Sequence, residues 1–133
     1  MQYEPTLDRA GLIDLAINKY FANVDAKNMD AALACFNEEA LFCVQTAFMR
    51  HAGRAEICRM FEDFFSGYEN IVHKDFTCTV DEKNGRIAAS FEAVLTGHDG
   101  SVTRLNNTNF WRIRAGKFQE VYVYMSGTNP LVK

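Results

Sequence analysis

Proline is nearly missing from this chain: it has two, Pro5 and Pro130, one towards each end. With none in between, no linker is marked, and neither a repeat nor a low-complexity stretch breaks the pattern. One domain spanning residues 1–133 is expected. A surplus of positive charge is missing too. The 14 basic residues are outnumbered by 17 acidic ones and are scattered, for a net charge of −3. Without a basic stripe to neutralise phosphates, nucleic acid is not expected as a partner. No stretch approaches the ~18 apolar residues of a membrane span. The segment MQYEPTLDRAGLIDLA carries acids early and has no apolar run of the signal-peptide kind, so the sequence predicts a cytoplasmic protein that does not engage a membrane. There is no Cys-x-x-Cys pair, and His51, His73 and His98 have no metal-type spacing among themselves. Neither a metal nor a cofactor is expected. Cys35, Cys43, Cys58 and Cys78 lie far apart inside apolar patterns and read as buried free thiols.

What the chain does have is apolar and aromatic material: 48% hydrophobic residues and 13% aromatic ones, enough for a proper core. Leu12, Ala16, Tyr20 and Val24 recur every fourth residue and are flanked by Ile13, Ile17 and Phe21, which predicts a helix over residues 7–24 capped by Thr6. Asn28 caps a second, short helix over Met29–Phe36. Ala40–Phe48 is rich in β-formers and reads as a strand, followed by a turn around Arg50–Gly53. Ile57, Met60, Phe61, Phe64, Phe65 and Tyr68 then mark a third helix whose aromatic stripe faces the core.

Only strands are predicted beyond that point. Ile71–Asp81 and Arg86–Gly97 are joined by a tight Asn84-Gly85 turn, Asp99-Gly100 leads into Ser101–Arg114, and Ala115-Gly116 leads into Lys117–Met125. The stretch from Ser101 to Met125 draws the eye. Leu105, Asn107, Asn109, Trp111 and Ile113 alternate onto one face, and Arg104, Asn106, Thr108, Phe110 and Arg112 onto the other. Buried amides without partners cost ~1 to 3 kcal/mol each, so an amide-rich inner face predicts a hydrogen-bonding pocket beside an apolar floor. Three helices followed by a meander must bury the helical stripes against one face of a curved antiparallel sheet. The expected fold is therefore α+β, with a conical hollow between the layers.

Three stretches carry a resemblance: YFANVDAKNMDAALACFNEEALF, HAGRAEICRMFEDFF and NFWRIRAGKFQEVYVYM. With the order of elements, they resemble the nuclear transport factor 2-like (cystatin-like) superfamily, and within it the SnoaL-like and ketosteroid isomerase-like proteins, over nearly the whole chain. The resemblance implies a pocket in which Tyr20 stands where the isomerase has its oxyanion tyrosine. It also implies that Asn109 stands where the isomerase has a protonated aspartate, a carboxyl kept neutral so that it can donate a hydrogen bond. The isomerase's general base falls at Val44, which bears no carboxylate. The resemblance further implies that Val123 and Met125 line the cavity, that polar residues such as His51 stand near its mouth, and that a homodimer forms through the outer sheet face, where Tyr122 and Tyr124 would lie.

A proton carrier must come from elsewhere. His73 and Asp75 stand two apart on one strand face and form a His–carboxylate pair if that face looks inward. In the other reading, Val72, Phe76, Cys78 and Val80 are the core face, and His73 and Asp75 lie outside. The sequence thus predicts a SnoaL-like protein that binds an apolar small molecule bearing a carbonyl or hydroxyl. The reaction class is isomerisation, cyclisation or dehydration by proton transfer. Tyr20, Asn109, His73 and Asp75 are the reactive set, and Val44, His51, Asn107, Trp111, Val123 and Met125 form the walls. The alternative is a non-catalytic ligand-binding or dimeric assembly domain.

Overall fold

A computed structural model describes residues 3–131. Helix α1 runs through three consecutive stretches: Arg9–Ile13, a π-helical Asp14–Phe21, and Ala22–Asp25. Asp8, rather than Thr6, is its cap and accepts from the Gly11 N–H at 2.8 Å. The wider π turn brings the adjacent Tyr20 and Phe21 both to the buried side, together with Leu12, Leu15, Ala16 and Val24. Helix α2, Met29–Leu33, starts at Asn28 as the sequence predicts, but it stops before Phe36.

Strand β1, Phe36–Val44, begins where the helix was expected to end. Phe36 and Ala40 are both fully buried and four apart, a spacing that imitates a helix, while a register shift between Phe36 and Leu41 lets the strand carry it. After a single 3-10 turn, β2, Met49–Ala52, pairs back onto β1 where a turn was expected. Helix α3, Arg54–Gly67, buries the predicted stripe of Ile57, Met60, Phe61, Phe64 and Phe65. Burying each of these side chains is worth about 1.5–3 kcal/mol, so the stripe is what fixes α3 to the sheet.

The remaining strands are β3 (Asn70–Asp81), β4 (Arg86–Thr96), β5 (Val102–Arg114) and β6 (Lys117–Tyr124). They complete a six-stranded sheet in the order β2-β1-β6-β5-β4-β3, with β1 parallel to β6 and every other pairing antiparallel. The sheet is curved and does not close, and the helices cover its inner face, so the fold is α+β as expected. Ala115 and Gly116, at φ +54° and +77°, make the two-residue turn between Arg114 and Lys117. The β3–β4 connection differs from the expected Asn-Gly turn. Asp81 accepts from the Asn84 backbone N–H and side-chain amide at 3.2 and 2.7 Å, which winds Glu82–Asn84 into a 3-10 turn and leaves Gly85 to reverse the chain at φ +63°. Of the cysteines, Cys35 and Cys43 are buried free thiols, whereas Cys58 and Cys78 are half-buried. No helix among the described residues is long and apolar enough to cross a membrane.

Candidate functional site

Of the two faces that alternate along β5, the inner one carries Leu105, Asn107, Asn109, Trp111 and Ile113, all buried, as the resemblance implies for Asn109. Cross-strand pairing sets Ala89 opposite Asn109, Phe91 opposite Asn107 and Ala93 opposite His73, while Val123 flanks Asn109 from β6. The Oδ1 atoms of Asn107 and Asn109 are buried and have no hydrogen-bond partner among the described residues, and the same holds for Trp111 Nε1. Such orphaned groups are uncommon in a folded interior, and they leave this wall with unused hydrogen-bonding capacity.

His73 reaches this interior because of a β-bulge. The β3–β4 register shifts between Lys74 and Thr77, and Asp75, the bulged residue, sits at φ +60°. The extra residue lets Ile71 and His73 face inward on one side of the bulge while Phe76, Cys78 and Val80 face inward on the other. Each reading of this strand thus holds for one half of it, with two corrections: Val72 is not part of the core face, and Asp75 is exposed and does not meet His73. The carboxylate beside His73 is Asp25, at the end of α1. Its Oδ1 lies 2.5 Å from His73 Nδ1, and its Oδ2 accepts the His73 backbone N–H at 2.8 Å. An ionised carboxylate only accepts, so Nδ1 is the donor in this contact, and in the neutral imidazole the lone pair is then on Nε2. The imidazole is stacked on Phe21 (centroids 4.3 Å, 27°) and meets Phe91 at an edge (5.5 Å).

Tyr20 is enclosed by Phe21, Phe36, Phe61, Trp111 and Phe118, with ring centroids 4.9–6.3 Å away. Burial above all, then the nearby Cys35 and Asp25, hold its hydroxyl well above the usual tyrosine range, so it stays a proton donor. Burial likewise pushes the Cys35 thiol up to about 11, which keeps it un-ionised and inert at neutral pH.

Tyr20, His73, Asn107, Asn109, Val123 and Met125 border one interior space, together with Phe21, Phe64, Pro130 and Leu131. Four predicted site residues do not border it. Asp75 is outside; Val44 is packed within the sheet, where Phe42 takes the wall position instead; Trp111 is stacked on Phe118 beneath the floor. His51 is not at an open rim: it is buried, with Nε2 3.3 Å from the Leu131 carbonyl oxygen. The expected hollow is also mostly filled. About 30 Å³ remains, room for a water or two, since each needs about 10–15 Å³. Asp25 was missed in the sequence because its partner is 48 residues away, and its one signal was its place just after the Tyr20 helix turn. No three His, Cys, Asp or Glu side chains among the described residues gather as a metal site would require.

The outer face is separate chemistry. Glu120 accepts from Tyr122 (2.5 Å) and Tyr3 (3.2 Å) and pairs with Arg112 at 3.0 Å, while Glu92 pairs with Arg104 at 3.1 Å and so cannot serve the interior. Phe110 and Tyr124 meet edge-on at 5.8 Å and are both exposed, as is Val102.

A helix-backed curved sheet with a partly polar interior is the architecture of the nuclear transport factor 2-like superfamily. The SnoaL-like domain model matches residues 17–121, and the chain belongs to that family. A candidate polyketide cyclase from Xanthomonas campestris pv. campestris superposes with a TM-score of 0.79 at 20% identity, covering 87% of this chain and 90% of its own. A candidate aromatic ring hydroxylase from Novosphingobium aromaticivorans gives 0.76 at 26% identity (91% and 93% covered), and a candidate ketosteroid isomerase from Kribbella flavida gives 0.69 at 18% (90% and 81%). None of the curated proteins matches the chain.

Proposed function

We propose that the protein binds an apolar small molecule bearing a carbonyl or hydroxyl in the interior bordered by Tyr20, His73, Asn107 and Asn109, and moves a proton on it. The carrying observation is the Asp25–His73 pair, whose free nitrogen belongs to a side chain bordering that space. His73 Nε2 takes a proton from the carbon next to a carbonyl, and the C–H electron pair becomes the enolate double bond. The charge that develops on oxygen is met by the Tyr20 hydroxyl and the Asn109 amide. The proton is then returned from Nε2, to the same carbon or to a conjugated one, giving exchange or isomerisation; where a hydroxyl stands on the neighbouring carbon, the enolate electron pair expels it and the Nε2 proton makes it water, giving dehydration. Asp25 is a positioning residue that sets the tautomer and steadies the imidazolium. Asp75 has no part in this scheme.

The test is deuterium exchange at the α-carbons of 2-tetralone in D₂O, followed by NMR. The protein should exceed the buffer rate, and His73→Ala and Tyr20→Phe should each reduce the excess about 100-fold or more. No excess in the unsubstituted protein, or an excess untouched by His73→Ala, overturns the reading.

A second reading has its own support. The filled interior and the exposed Phe110, Tyr124 and Val102 fit a domain that assembles as a homodimer through the outer sheet face without catalysis. Binding of 2-tetralone without exchange, with a dimer by sedimentation that Phe110→Asp dissociates, favours that reading.

A further inference from the structure

The interior presents a contradiction: its walls hold two orphaned amide oxygens, a buried tyrosine and an imidazole, yet almost no volume is left between them. What stands at its mouth is the segment after β6, Ser126–Leu131, which has neither helix nor strand. Pro130 and Leu131 border the interior space, and Leu131 is only 7% exposed. The segment is anchored firmly at its base, where Ser126 Oγ accepts the Asn106 N–H at 2.8 Å. At its tip the polar hold is sparse among the described residues: Asn129 folds the tip into a turn by accepting the Leu131 N–H at 2.8 Å, and His51 Nε2 lies 3.3 Å from the Leu131 carbonyl oxygen.

We propose that Ser126–Leu131 is a displaceable stopper: Leu131 and Pro130 hold the place of the ligand, His51 is the latch, and binding begins with release of the tip. This rests on the interior being a ligand site, the reading given above. Exchange of the stopper for a ligand is energetically feasible. Withdrawing the tip sacrifices the burial of Leu131 and the buried His51–Leu131 hydrogen bond, a cost that a larger apolar ligand offsets by filling the same space and donating a hydroxyl to the Asn107 or Asn109 Oδ1. A site blocked by its own chain binds more weakly by the fraction of time it is open, so loosening the stopper raises apparent affinity.

The experiment uses the sole tryptophan, Trp111, 1% exposed beneath the floor, as a reporter that needs no ligand. Acrylamide quenching of Trp111 and titration with 2-naphthol are compared in the unsubstituted protein, in Pro130→Gly/Leu131→Gly, in His51→Ala and in Asn129→Ala. The last leaves the core intact should the others unfold. Faster quenching in the loosened variants, with 2-naphthol binding about tenfold tighter or more, is the expected result. Faster quenching without 2-naphthol binding in any form upholds the stopper and overturns the ligand site. Unchanged quenching in all folded variants overturns the stopper. Faster quenching with weaker binding overturns it too, because Leu131 would then be part of the ligand's wall.

Discussion

Asp25 holds His73 at two points, the ring Nδ1 at 2.5 Å and the backbone N–H at 2.8 Å, so one carboxylate sets both the tautomer of the imidazole and the position of the strand that carries it. Asp25→Asn separates these roles. The amide still offers one acceptor, but its NH₂ turns the other contact into a donor, and the ring proton moves to Nε2. ¹⁵N NMR of His73 should show the inverted tautomer, α-proton exchange of 2-tetralone should fall about 100-fold, and unfolding should show a loss of about 1–3 kcal/mol. An unchanged exchange rate with an inverted tautomer would remove His73 from the chemistry.

The bulge at Asp75 is the device that turns His73 inward. A non-glycine residue at φ +60° is strained, though aspartate tolerates that region better than most. Asp75→Val should therefore destabilise by about 1–2 kcal/mol, and Asp75→Gly should be close to neutral. Deleting residue 75 is the decisive variant. With the bulge removed, either Ile71 and His73 or Phe76, Cys78 and Val80 must face water. Denaturant unfolding should then show a loss well beyond that of Asp75→Val; a loss no larger would mean the bulge does not set the faces.

The contrast between β5 and β3 shows what the sequence could reveal. On β5 the period-two pattern runs unbroken from Leu105 to Ile113, so the two faces could be separated directly, and the resemblance said which of them is buried. On β3 one inserted residue reverses the phase midway, and no residue type announces it. The stripe of α3 was legible for the same reason as β5, whereas β2 was too short to show any period. Asp25 and Leu131 matter only through partners 48 and 80 residues away, and the filling of the cone depends on side-chain volumes from several elements. Pairings and volumes of that kind leave no linear pattern.

Asn107 and Asn109 offer a stability test of function. Each buries an unpaired Oδ1, which costs about 1–3 kcal/mol without a ligand. Asn109→Leu, similar in shape and apolar, should raise the unfolding temperature while weakening 2-naphthol binding by about tenfold. Thermal melts and calorimetric titration measure the two effects separately. A leucine variant less stable than the parent would mean that the amide is satisfied within the fold.

The outer-face cluster around Glu120 predicts an acid-sensitive contribution to stability. Burial alone would raise its carboxyl, but the Tyr122 hydrogen bond, the Arg112 charge and the Tyr3 hydrogen bond together outweigh it and hold the group below its ordinary value. A depressed carboxylate contributes stability in full above the unfolded value of about 4.3 and loses it as the pH falls through the lower folded value. Burial and then Glu120 push Tyr122 the other way, up to about 12. Its contribution is complete below the unfolded value of about 10 and fades as the pH rises towards the folded one. Glu120→Gln should thus lose about 1–3 kcal/mol at pH 7, where Arg112 is left without its partner. The parent and the variant should converge only as the pH falls through that lower folded value, where protonation removes the charge from Glu120 in the folded chain. Tyr122→Phe should flatten the alkaline limb and, by removing a hydrogen bond that depresses Glu120, part of the acid limb as well. Urea unfolding across the pH range reads all three effects, and parallel acid limbs for parent and Glu120→Gln would show that Glu120 ionises in the folded chain as it does in the unfolded one.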